Sequence, residues 1–195
     1  MKTLTLVPVL LATLLAAPSF AQTAVSTAVA TPVQRDVNQQ TRIENGLQSG
    51  ALTVHEASKL EAQTSQVNRV EAKAMQDGTV TAAEKAHIDK LENKVSSDIH
   101  AEKHDAQTGN PNSVSSLRTQ ADVQRNVNQE TRIANGVSNG SLTPKETAKL
   151  KRGQAKVQRK EARAARNGKV NANEQAGVQV AENHQSRRIF RQKHN

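Results

Sequence analysis

Gly78-Thr79-Val80-Thr81-Ala82-Ala83-Glu84 decides the fold, because its pattern occurs four times. A glycine, one free position, Leu or Val, Thr or Asn, two free positions and a Glu recur as Gly50 to Glu56, Gly140 to Glu146 and Gly168 to Glu174. The pattern reads as a helix stop followed at once by a helix start. The glycine takes the left-handed conformation that ends one helix. The Thr, or Asn171 in the fourth mark, caps the next helix, and the Glu three residues on closes a capping box that satisfies exposed backbone amides.

Working outward, shifting the chain by 90 residues lays Arg35–Asp105 on Arg125–Asn195 without a gap, and 31 of the 71 positions are identical. The run Arg35 to Gly46 (RDVNQQTRIENG) matches Arg125 to Gly136 (RNVNQETRIANG). An internal duplication follows. A finer repeat of 28 residues lies within each copy, with Gly50, Thr53, Glu56 and Leu60 matching Gly78, Thr81, Glu84 and Ile88. Between marks, Leu60, Val67, Val70 and Ala74 form one apolar stripe, and Ile88, Leu91, Val95 and Ile99 form the next. Long amphipathic helices joined by short turns pack antiparallel. The expected fold is all-α, a tandem duplication of a three-helix up-down-up unit joined by a flexible linker. Helices are predicted near 35–47, 53–76 and 81–104, then 125–137, 143–166 and 171–193.

The flanks complete the expected domain organisation. Lys2, the apolar run Leu4 to Ala17 and Ser19-Phe20-Ala21 have the layout of a signal peptide over residues 1–21, cleaved after Ala21. That implies a periplasmic or secreted protein. Residues 22–34, rich in Ala, Thr, Val and Ser with Pro32, read as a flexible tether. Residues 35–105 form the first copy, 106–124 with Gly109-Asn110-Pro111-Asn112-Ser113 the linker, and 125–195 the second copy. With 35% hydrophobic residues and Phe20 and Phe190 as its aromatics, the chain has a thin aliphatic core and little with which to line a deep ligand pocket. It has no cysteine, so neither disulfides nor thiol chemistry enter.

Chemistry-bearing motifs are few. No phosphate-binding glycine loop, nucleophile elbow or zinc-protease histidine motif is present, and the expectation is a non-enzyme without a cofactor. His100 and His104, four apart on a predicted helix, have the spacing of a two-imidazole grip on copper, nickel or zinc. The marks, as in Asp77 to Glu84, resemble the second half of an EF-hand calcium loop. That resemblance makes Asp77, Glu84, Asn45 and Glu56 candidate ligands of a divalent cation. Its first-half positions depart from the pattern: Lys73 and Met75 stand there in one loop, Arg163 and Ala165 in another. EF-hand loops also pair side by side, whereas successive marks fall at opposite ends of one helix roughly 35 Å long.

Charge is the sharpest signal. Residues 35–105 hold 9 Lys or Arg against 12 Asp or Glu, a net of −3; residues 125–195 hold 16 against 5, a net of +11. The candidate polyanion-binding residues are Lys149, Lys151, Arg152, Lys156, Arg159, Lys160, Arg163 and Arg166 on one helix, with Arg187, Arg188 and Arg191 near the C-terminus. Such a field attracts anionic lipid, lipopolysaccharide or another polyanion. A specific nucleic-acid target is disfavoured by the lack of stacking aromatics. As a whole the chain resembles exported helical-repeat proteins of Gram-negative bacteria. The leading reading is a non-catalytic, stress-related binding protein of the envelope. The alternatives are a divalent-metal protein and a structural or chaperone-like one, and self-association of acidic and basic copies also fits the charges.

Overall fold

The computed structural model describes residues 20–194, with side chains from residue 28. The leader read over residues 1–21 therefore lies, except for its last two residues, outside the described residues. What is described is all-α, without a strand: α1 (Phe20–Ser49), α2 (Val54–Ala74), α3 (Ala82–Lys103), α4 (Val114–Ser138), α5 (Pro144–Ala164) and α6 (Ala172–Lys193). No helix among them is long and apolar enough to cross a membrane.

Each of the four marks does what its residues dictate. Gly50, Gly78, Gly140 and Gly168 have φ of 76°, 102°, 75° and 77°, and no other described residue has positive φ. Thr53, Thr81, Thr143 and Asn171 are the N-caps of α2, α3, α5 and α6, each in a complete capping box with Glu56, Glu84, Glu146 or Glu174. Pro144 takes the first turn of α5, where its missing N–H costs nothing. Leu52 and Leu142 fold back over Gly46 and Gly136, each donating its N–H to that glycine's carbonyl at 2.9 Å.

Two boundaries differ from expectation. Residues 22–34 are helical, not a tether, and belong to α1. Val29 and Val33, one turn apart, are buried in a cluster with Ile133, Ala134 and Val137 of α4, and this packing overrides the interruption at Pro32. Likewise α4 starts at Val114 rather than near 125, capped by Ser113, whose hydroxyl accepts from the Ser116 N–H at 3.1 Å. The linker shrinks to the residues between Lys103 and Val114, and it is pinned: the Gly109 N–H donates to the Gly50 carbonyl at 2.8 Å.

The copies are interlocked rather than separate bundles. The broadest interfaces are α2 on α5 and α1 on α4, while α3 covers α1 and α2, and α6 covers α4 and α5. At the centre of the α2–α5 crossing, equivalent residues meet each other. Ser65 Oγ donates to the Ala155 carbonyl at 2.8 Å, and Asn68 Nδ2 donates to Gln158 Oε1 at 2.9 Å. Contact between positions 90 apart is the mark of a local two-fold relation. The two helices run antiparallel, so marks of different copies become neighbours. A ring nitrogen of His55, in the first mark, lies 2.7 Å from the Arg166 carbonyl beside the fourth. A Cβ on Gly78 would come within 3.3 Å of Lys145 in the third. The side-by-side pairing that successive marks cannot make is thus made across copies.

The interior is almost as rich in polar as in apolar residues. α3 and α6 dock through the same bonds. Gln39 Nε2 donates to the Glu92 carbonyl at 3.1 Å, and Gln129 Nε2 to the Glu182 carbonyl at 3.2 Å. Arg42 reaches Ser96 as Arg132 reaches Ser186.

Candidate polyanion-binding groove

The basic residues of α5 divide by helical periodicity. Lys149, Arg152, Lys156, Lys160, Arg163 and Arg166 recur at steps of three and four and are exposed on one face. Lys149, Arg152 and Lys156 face Arg188 and Arg191 of α6 across a groove of about 460 Å³. No ion pair links any of these five to an acidic group among the described residues. At the matching positions the first copy carries Lys59, Ala62, Gln66, Asp98 and Ala101. The same helical frame therefore presents five cations in one copy, and one cation with one anion in the other.

Further along, Lys160 and Arg163 line a shallower groove with Asn173, Glu174 and Gly177. A Cβ on Gly177 would meet the Lys160 side chain at 3.3 Å, so the glycine leaves that ammonium its room. On the other flank of α6, Arg132, Arg187 and Arg191 surround Phe190, which is 58% exposed. Arg159 is half-buried and turned inward, its Nε donating to the Ala155 carbonyl at 3.3 Å.

Lys151 is a correction. It is fully buried and cannot meet a polyanion. Its Nζ pairs with Asp36 of α1, with Glu71 Oε2 of α2 at 3.1 Å and with Glu130 Oε2 of α4 at 3.0 Å. Burial alone pulls its pKa down, but Asp36, Glu130 and Glu71 outweigh that and hold it well above the ordinary lysine value. Glu71, by contrast, is held well above the carboxylate range, first by burial and then by repulsion from Asp36. Asp36, Glu71 and Glu92 could converge on a metal ion, but the Lys151 ammonium already supplies the cation there.

The two-fold counterpart of this cluster is built on the opposite charge pattern. Lys151 corresponds to Glu61, Glu130 to Gln40 and Asp36 to Asn126. Where the core carries a cation its three neighbours are carboxylates; where it carries Glu61 two of them are amides, and the counterpart of Glu71, Glu161, remains a carboxylate. Gln40 Nε2 donates to Glu61 Oε2 at 3.2 Å, and Asn126 Nδ2 donates to Glu161 Oε2 at 2.6 Å. Lacking a basic partner, Glu61 is pushed up to about 8 by burial, against which its bonds from Gln40 and Thr64 work. Burial likewise raises Asp122 to about 7 and Glu182 to about 8, the latter despite Arg125 at 2.7 Å.

The candidate metal ligands scatter. Asp77 accepts from the Thr79 N–H at 2.9 Å, and Glu84 accepts from the Thr81 N–H at 2.9 Å. Each carboxylate serves its own turn or cap, and among the described residues neither joins two other acids that could share an ion. Asn45 is exposed on α1, while Glu56 is buried beneath the linker side of the first mark. The rings of His100 and His104 are tilted by 35° with centroids 4.2 Å apart, and a His104 ring nitrogen lies 2.7 Å from the His100 carbonyl. The buried groups Asp36, Glu71, Glu92 and Glu130 went unnoticed in the sequence. Their signal was the paired exchange of Lys151, Glu130 and Asp36 for Glu61, Gln40 and Asn126, which acquires meaning once α1 is known to lie on α4. No family model, no curated protein and no solved structure matches this chain.

Proposed function

We propose that the protein is a non-catalytic polyanion-binding protein whose α5–α6 face engages phosphate-bearing components of the cell envelope, anionic lipid or lipopolysaccharide. One observation carries the reading: Lys149, Arg152, Lys156, Arg188 and Arg191 converge on one groove without acidic partners among the described residues, while the matching positions of the first copy hold one cation and one anion and carry no net charge. Clefts lined by one sign of charge concentrate counter-ions and speed their capture. Exposed Phe190 beside Arg187 and Arg191 favours an amphiphile, since the ring can enter the acyl boundary while the guanidinium groups hold phosphate. The non-catalytic part rests on Glu61, Glu71, Glu130 and Glu161, carboxylates with raised pKa values that are closed in the core rather than facing either groove. The leader read at residues 1–21 is what directs the search to the envelope.

We read the architecture as a tandem duplication of a three-helix unit. The 90-residue repeat and the matched bonds from Gln39 and Gln129, and from Arg42 and Arg132, support it. Interlocking makes a half-chain an unsuitable test object, so the whole chain is the one to assay. Full-length protein should bind lipopolysaccharide and vesicles containing anionic lipid, with affinity falling steeply as salt shortens the screening length to about 8 Å. Charge reversal of Lys149, Arg152, Lys156 and Arg188 to Glu should abolish binding and leave the helical circular dichroism intact. Reversal of Lys59 and Lys73 in the first copy should leave binding nearly unchanged. Equal binding by the two reversed proteins, or binding indifferent to salt, overturns the proposal.

A further inference from the structure

A cluster of three acids lies in the first copy, away from the basic groove and independent of it. Glu56 at the start of α2, Glu102 in the last turn of α3 and Asp105 in the linker each bring one carboxylate oxygen to within 4.8 Å of the other two. These residues come from three different segments, so the convergence is made by tertiary packing and not by local sequence. A cluster of acids on its own is ordinary surface. The oxygen that sets this one apart is Glu56 Oε1.

Glu56 is fully buried. Its Oε2 accepts from the Thr53 N–H at 2.8 Å and so completes the capping box. Its Oε1 is out of contact with water and has no hydrogen-bond partner. The other three capping glutamates, Glu84, Glu146 and Glu174, are only half-buried, and none has a stranded buried oxygen. A buried carboxylate oxygen with no donor costs free energy unless a proton or a cation satisfies it. No Lys or Arg pairs with Glu56, Glu102 or Asp105 among the described residues. Asp105 accepts from the Gln107 N–H at 2.8 Å and from Gln107 Nε2 at 3.2 Å, which leaves each of its oxygens a further lone pair for a cation.

The second copy supplies an internal control. Glu102 and Asp105 correspond in sequence to Gln192 and Asn195, so the amide-for-acid exchange removes two charges while Glu146 keeps the cap. The helix and its cap therefore form without the acids, and what the acids add is converging negative charge. All-oxygen, anionic donors select hard cations, and an irregular, partly exposed set on a loop suits calcium, whose coordination is flexible, better than magnesium, which demands a near-ideal octahedron.

We propose that Glu56, Glu102 and Asp105 bind a calcium ion that ties the linker to the first mark. Waters complete its shell, and the linker is already positioned by the Gly109 N–H bond to the Gly50 carbonyl at 2.8 Å. Placing a Cβ on Gly109 would bring it within 2.4 Å of the Leu52 carbonyl oxygen, so the linker lies directly on the mark the ion would join. Affinity should be of the order of 0.1–1 mM, the range of open oxygen sites in extracellular modules.

The test uses full-length, chelator-treated protein titrated with CaCl2 by isothermal calorimetry, with thermal unfolding alongside. One calcium per chain and a raised unfolding midpoint are expected. The double variant Glu102→Gln/Asp105→Asn, which installs the residue types of the second copy, should bind at least tenfold more weakly while keeping its helical signal without calcium. Glu84→Gln, at the second mark, should bind as the parent does. Absence of heat and of a midpoint shift at millimolar calcium overturns the site. So does binding that survives the double variant, or binding lost instead with His100→Ala/His104→Ala.

Discussion

Replacing Lys151 with Met tests the interlocked core most directly. The parent holds one ammonium against Glu130 at 3.0 Å, Glu71 at 3.1 Å and Asp36, all of them buried. At an effective dielectric of about 20, a contact near 3 Å is worth about 5 kcal/mol before desolvation is subtracted. Most of that is offset by the cost of taking four charges out of water. Removing only the cation leaves the acids stranded, and loss of one partner from such a cluster costs about 3–5 kcal/mol. That is a large fraction of the 5–15 kcal/mol by which domains are stable. The assay is urea unfolding followed by circular dichroism at pH 5 and pH 8. Without the lysine, Glu71 and Glu130 must take protons to stay buried, so their folded pKa values rise further and the deficit should be larger at pH 8. The triple variant Asp36→Asn/Glu130→Gln/Lys151→Glu copies the Asn126, Gln40 and Glu61 arrangement of the partner half and should recover at least half of the loss. A cost below about 1 kcal/mol for Lys151→Met, or a triple variant no better than Lys151→Glu alone, would refute the reasoning.

Four further outcomes are expected. In the parent, Glu61, Glu92 and Glu182 are raised to about 8 and Asp122 and Glu130 to about 7, so the folded state holds protons that the unfolded chain releases near pH 4–5. Their stabilisation is complete below that range and is lost as pH rises to about 8. Urea midpoints should therefore be higher at pH 5 than at pH 8, and a flat or inverted profile would count against the burial of these acids. Thr81→Ala should cost about 1 kcal/mol in urea unfolding by removing a side-chain cap, and an unchanged midpoint would argue against the box. Gly153→Ala should destabilise by about 1–3 kcal/mol although alanine is the better helix former, because the new Cβ would lie 1.9 Å from the buried Gln185 amide that donates to the Leu150 carbonyl. A gain in stability would show that Gln185 moves aside freely. Phe190→Ala should weaken binding to anionic vesicles while leaving capture of a soluble polyanion such as heparin unchanged, and parallel losses would remove the ring from the binding reading.

The local grammar of this fold was readable because each of its signs is chemically self-contained. A glycine that must turn left, a Thr that must cap and a Glu that must answer it sit within seven residues, and all four marks fold accordingly. The excess of Lys and Arg also marked α5 as the basic helix, without separating its exposed cations from its buried one. The reading failed where a residue's surroundings come from the other copy. Lys151 lies one step from exposed Arg152 and looks like its neighbour in sequence; only α1, α2 and α4, closing over it from 115, 80 and 21 residues away, make it a core residue. The first part of α1 was hidden for the same reason, since the valines that stabilise it need α4 as their counterface.

The pairing of α1 with α4 and of α2 with α5 also governs how the chain reaches its native state. The two broadest interfaces join helices some 90 positions apart, so a large part of the core closes through contacts distant in sequence. Its first three helices emerge with their broad faces uncovered and stay so until α4 and α5 have been made. Local helix formation is fast, but assembly waits for loop closure across the whole first copy. During that interval the face of α2 that α5 will cover carries Ser65 and Asn68, and these polar side chains keep the waiting surface soluble until its partner half arrives.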